Sequence, residues 1–177
     1  ARDSGANWSS TDISLSTDIA RLGQLSIGKL KEPFVYEMVG DAANLPHNER
    51  LLSPFFRSRN DGVTLGNVVF DQRATWVVGW YNDWWTQGTS WSDSGNDFAG
   101  RITVLPAWSE DGASYLHLAA SARYYGAVDD QLRYKGKPAS NVADDFVDTG
   151  KVPGDHAWHT GIEALWNHGG YSVLAEY

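Results

Sequence analysis

Two arginines, Arg101 and Arg123, hold the chemistry easiest to read in this chain of 177 residues. Each lies in a stretch that alternates between apolar and polar or small residues, on the polar side. Around Arg101 the apolar side is Phe98, Gly100, Ile102 and Val104, while Ala99 and Thr103 share the arginine's side. Around Arg123 the apolar side is Leu116, Leu118, Ala120, Ala122 and Tyr124, while His117, Ala119 and Ser121 align with the arginine. A guanidinium so placed offers a fork of N–H donors to phosphate or carboxylate. In a soluble sandwich it would simply face solvent. In a membrane-spanning strand the lipid side would cost about 2–4 kcal/mol, so the alternation turns it toward a wetted interior.

Other reactive side chains point to no catalysis. Of the five histidines, His156 and His159 are three apart, which on a strand puts them on opposite faces. His47, His117 and His168 are isolated. All five read as polar-face, loop or turn residues. Glu163 and Glu176 fall on neighbouring strand-like stretches and imitate the paired carboxylates of a glycosidase. In a barrel the same two are wetted wall residues. There is no cysteine, which removes disulfide frameworks and Cys-based zinc sites. No phosphate-loop pattern and no G-x-S-x-G elbow occurs. The reading is of a non-enzyme without catalytic residue, metal or cofactor. Trp84, Trp85 and Trp91 share one loop and would stack on sugar rings in a secreted carbohydrate-binding β-sandwich module or glycosidase β-domain. That alternative stays open at this point.

The elements that must position these groups are strands. Period-two alternation recurs at residues 22–30, 62–70, 74–81, 98–105, 114–125, 157–166 and 170–177, and more weakly at 11–16. That predicts an all-β, antiparallel chain of seven or eight strands. Several approach the ~9–11 residues with which a tilted strand crosses a bilayer, where ordinary strands average ~5–6. Short connections at 71–73, 107–113 and 167–169 alternate with long ones at 82–97 and 126–156, and residues 32–60 form another long link. Tight turns at one end and long loops at the other are the rhythm of an outer-membrane barrel. Residues 144–149 predict a short helical turn. Residues 1–21 stay poorly defined, and 1–177 reads as one unit.

Composition agrees with a barrel. Nine Trp, eight Tyr and 18 Gly are many for this length, and aromatics gather at strand ends, among them Trp76, Trp80, Tyr81, Tyr124, Trp158, Trp166 and Tyr171. Such belts mark membrane interfaces. No stretch of ~18 apolar residues exists. A mean hydropathy of −0.40 is compatible with alternating lipid-facing and wetted residues. A net charge of −8 speaks against nucleic acid as a partner.

Ordered motifs carry a resemblance. They begin at Gly28-Lys29-Leu30-Lys31-Glu32-Pro33-Phe34 and continue through Asn48-Glu49-Arg50 and Arg59-Asn60-Asp61-Gly62-Val63. Then come Val69-Phe70-Asp71-Gln72-Arg73-Ala74-Thr75-Trp76, Gly79-Trp80-Tyr81-Asn82-Asp83 and Gly100-Arg101-Ile102-Thr103. Leu116-His117-Leu118, Phe146-Val147-Asp148-Thr149-Gly150 and Gly161-Ile162-Glu163-Ala164 complete the set. From about Leu22 to Tyr177 the chain resembles the phosphate-selective porin O/P family. The resemblance implies a homotrimer of transmembrane β-barrels of about sixteen strands in the cell outer membrane of a Gram-negative bacterium, set in outer-membrane lipid. This chain would supply an internal portion of the barrel. The implied function is passive diffusion of small hydrophilic solutes, with phosphate or other small anions as expected partners.

In that family a long loop folds into the barrel and narrows it. By analogy Arg50, Arg57 and Arg59 of the 32–60 link are constriction candidates. Lys29 and Lys31, at the entry to the link, join Arg101 and Arg123 as pore-lining, anion-binding candidates. The departure concerns charge. Fourteen basic residues face 22 acidic ones, many in expected loops, such as Asp97, Glu110, Asp111 and Asp148. The family's array of stacked arginines is not visible, so anion-selective and unselective diffusion both stay open.

Overall fold

The alternating stretches pair with one another in chain order. The computed structural model describes residues 12–40, 45, 51–82, 84–137 and 144–177. Eight strands form one antiparallel sheet: β1 (Ile13–Ile19), β2 (Gly23–Leu30), β3 (Asn60–Val69), β4 (Ala74–Asn82), β5 (Asn96–Trp108), β6 (Ser114–Gly126), β11 (His156–His168) and β12 (Tyr171–Glu176). Four two-residue strands lie in the loop between β6 and β11. Here β7 (Gln131–Leu132) pairs with β10 (Val152–Pro153), and β8 (Lys135–Gly136) with β9 (Val147–Asp148). Short helices α1 (Tyr36–Val39) and α2 (Trp84–Gln87) sit in the two preceding long loops.

The structure redraws some of the expected elements. The helical turn at 144–149 is instead the strand pair β8–β9, tied by ion pairs from Arg133 to Asp148 and Lys135 to Asp145. The weaker alternation at 11–16 does form a strand, β1, placed at 13–19, where Leu15 and Thr17 find partners in Ile27 and Leu25. Strands β5, β6 and β11 each reach 13 residues, longer than the alternation suggested.

The sheet separates the residue types. In register, the outer face carries Leu15, Ile27, Val63, Val78, Phe98, Ile102, Leu118, Ala120, Trp158, Ile162 and Val173. These apolar side chains are open: Leu15 is 79% exposed, Trp158 66% and Ile162 62%. The opposite face carries Ser26, Thr103, Ser121, Arg123 and Glu163, all buried. A water-soluble sheet does the reverse, because burying apolar surface drives its folding.

Chain reach shows which way the sheet bends. Tyr36 lies six residues beyond the end of β2, a span of at most about 22 Å. Its N–H nonetheless donates to the Glu176 carboxylate on β12, six strand positions from β2. A flat sheet would put those strands roughly 29 Å apart. The register from His156 down to Glu163, opposite Glu176, adds about 24 Å along the strand direction. Even with the glutamate's own length, a flat sheet cannot make this bond. The sheet is therefore curled with its polar face concave, and the link after β2 crosses the hollow.

Tyr81 shows how tightly that hollow is packed. Its ring is fully buried and lies over Gly62 and Gly79, where an added Cβ would come within 2.4 Å of the ring or its hydroxyl. Gly62→Val should therefore destabilise the fold by about 1–3 kcal/mol through overpacking, read as a lower midpoint of urea unfolding.

Candidate functional site

The concave face and the link laid across it form the site. Strand β6 directs Arg123 inward, and β5 directs Asp97 beside it. Just past β2, Glu32 reaches the same point. Arg123 donates from Nε to Glu32 Oε2 at 2.5 Å and from Nη2 to Asp97 Oδ2 at 2.9 Å. Its guanidinium also stands 5.0 Å from the Tyr125 ring centre. Asn60 Nδ2 donates to both carboxylates, at 2.9 and 3.1 Å. Arg123 is 3% exposed, Asp97 2%, Asn60 1% and Glu32 0%. Such burial demands this density of pairing, since each bare charge would be strongly penalised.

A second ion pair lies further down the face. Arg101 grips Glu163 with both donors, Nε at 2.8 Å and Nη2 at 2.7 Å. His117 Nε2 stands 3.5 Å from the same carboxylate. The neighbouring Glu176 accepts the N–H groups of Tyr36 and Glu37 at the first turn of α1. Glu37 in turn accepts the N–H groups of Leu51 and Leu52 at 3.2 and 2.9 Å, closing the link upon itself. Phe34, Val35 and Met38 are buried with Leu52 and Phe56 against them, and Phe34 and Phe55 meet His159 of β11 edge-on or tilted. The link is further braced by Tyr134, whose ring packs on Phe55, and by Gly136 against Pro54.

The seven expected site residues divide. Arg101 and Arg123 are on the concave face, but carboxylates occupy both forks. Arg57 stands over it, 5.6 Å from the Tyr125 ring centre. Arg59 lies aside in an exposed pair with Asp12, at 2.9 and 2.8 Å, and this pairing holds the Asp12 carboxyl below its ordinary range. Lys31 donates to the Gly40 carbonyl at 3.4 Å. Lys29 shares the outer face with Leu25 and Ile27, opposite Asp61 in register. Arg50 lies outside the described residues. The sequence reading missed Glu32, Asn60 and Asp97 as site residues, and Asp97 belongs to β5 rather than to a loop. The Glu32-Pro33-Phe34 motif was the available signal.

The outer face has its own geometry. Trp80, Phe98, Tyr124 and Trp158 stand in one row across β4, β5, β6 and β11, directly in register. Phe98 and Tyr124 centroids are 6.2 Å apart, and those of Tyr124 and Trp158 5.2 Å. Trp166 and Tyr171 stand at the turn end, both exposed, whereas the bulge in β5 turns Trp108 to the other face, opposite Tyr115 and under Arg73. The register faces between these rows carry no charged side chain among the described residues. Trp158 and Trp166 are eight residues apart on β11, about 27 Å along the strand. The Trp84 and Trp91 rings tilt at 54°, and Trp91 meets Trp80 edge-on, which is not a flat platform for a sugar ring. No protein-family model and no curated protein matches this chain.

Arg123→Ala should cost about 3–5 kcal/mol, because Glu32 and Asp97 would be left buried without their cation. Glu32→Gln should cost less, since an amide oxygen still accepts from Arg123. Urea unfolding would give the order, and limited proteolysis within residues 31–59 should be faster in Arg123→Ala.

Proposed function

We propose that this chain forms part of the wall of an outer-membrane β-barrel through which small hydrophilic solutes diffuse passively. One observation carries the reading. The exposed face is an uncharged apolar band between the row from Trp80 to Trp158 and the pair Trp166 and Tyr171 at the turn end, while the polar and ionised side chains are on the concave face. Lipid rewards that arrangement and water does not. The strand lengths and the ends at which turns and loops fall agree with it. Connections 20–22, 70–73, 109–113 and 169–170 are tight, and 31–59, 83–95 and 127–155 are long.

The link across the hollow gives the pore its constriction. Held at Arg123, Ser121 and Glu176, it narrows the passage rather than standing outside it. No catalytic step is needed: selection follows from the width and charge of the wetted wall. The motif resemblance supports a barrel of about sixteen strands, assembled as a homotrimer in a Gram-negative outer membrane. Phosphate and other small anions, expected from that resemblance, gain no support from Arg101 and Arg123, whose donors are engaged by carboxylates.

The complete protein, purified from membranes in detergent and added to a planar bilayer, should give stepwise conductance. A second test separates the faces. Ile162→Arg on the outer face should lower stability in lipid vesicles by about 2–4 kcal/mol, whereas Gln24→Arg on the concave face should stay within about 0.5 kcal/mol. Equal effects would defeat the membrane reading.

A further inference from the structure

We infer that the pore wall supplied by this chain favours cations over anions, an inference resting on the diffusion-pore reading above. The arginines that could attract anions are already neutralised. Arg101 meets both oxygens of Glu163, so that pair has no net charge and no free fork. Arg123 faces two carboxylates at once, Glu32 and Asp97, with Asn60 donating to both. Arg57, over the same Tyr125 ring, adds a second positive charge, so two guanidiniums face two carboxylates there and no cationic excess remains. An incoming phosphate would have to displace a carboxylate from a bidentate or buried contact to win the same donors.

Glu176 tips this balance toward negative charge. Its acceptors are satisfied by the N–H groups of Tyr36 and Glu37, which are dipoles and bring no compensating unit charge. It sits beside the Arg101–Glu163 pair, directly opposite Glu163 in register, where the link crosses the hollow. Asp18, on the concave side of β1 opposite Gln24, places a further exposed carboxylate toward the turn end. A wetted, low-dielectric passage focuses the potential of its wall, so a small excess of one sign sets which ion enters. The carboxylate excess of the whole chain, 22 against 14 basic residues, has the same sign.

The test uses the complete protein in a planar bilayer, with reversal potentials in a potassium chloride gradient and then in a potassium phosphate gradient. The expected sign is that of potassium preference in both. Glu176→Gln keeps an acceptor for α1 but removes the charge, and Gln24→Arg adds a positive charge to the concave face where no link is held. Each should lower the cation-to-anion permeability ratio by about twofold, the scale of one unit charge at several ångströms in a watery passage. Glu176→Asp should leave the ratio near that of the parent. Anion preference in the parent, or a ratio unmoved by Gln24→Arg, would overturn the inference while leaving the pore intact. A protein that inserts but never conducts would overturn the pore reading and this inference with it.

Discussion

Arg123 between Glu32 and Asp97 is the contact on which the remainder of the structure turns. It brings the first residues after β2 onto β5 and β6, and so commits residues 31–40 to cross the concave face. The buried pair cannot be judged by Coulomb attraction alone, because removing two carboxylates and a guanidinium from water is costly. It persists because each acceptor has further donors: Asn60 for both carboxylates, and the Gly126 N–H for Asp97. Once the link is held there, Val35, Tyr36 and Glu37 reach Ser121 and Glu176, and the polar face is covered.

That covering fixes what the other face must do. With the hollow occupied by polar side chains and a short apolar cluster of Phe34, Val35 and Met38, most large apolar residues of the strands have no protein partner. Leaving Leu, Ile or Phe in water forfeits about 1.5–3 kcal/mol each, and here they lie side by side over eight strands. Such a contiguous apolar surface marks a membrane or partner contact. Rows of Trp, Tyr and Phe at its edges, with no charge between them, match the demands of a bilayer with a polar interface on each side.

Much of this was legible in the sequence. Alternation assigned Leu25 and Ile27, or Trp158 and Ile162, to one side of their strands correctly, because a period of two leaves no freedom once a strand forms. It also separated tight from long connections. It could not show where the 32–60 link goes, since that depends on Arg123, 91 residues from Glu32. Arg101 was placed on the correct face, yet its pairing with Glu163 across two strand positions needs the register of β5, β6 and β11 together. Asp97 was read as a loop residue because Asn96 and Asp97 have poor strand propensity. Pairing with Tyr125 and the demand of Arg123 override that preference.

The central claim is that the apolar face meets lipid and the concave face meets water. These 177 residues hold no cysteine; with any cysteine elsewhere in the complete protein replaced, single cysteines at Ile162 and at Gln24 can each carry an environment-sensitive fluorophore in vesicles. Brominated lipid should quench the label at position 162 strongly and that at 24 weakly, with a water-soluble quencher giving the opposite order. Equal lipid quenching at the two positions, or water access at 162, would contradict the account.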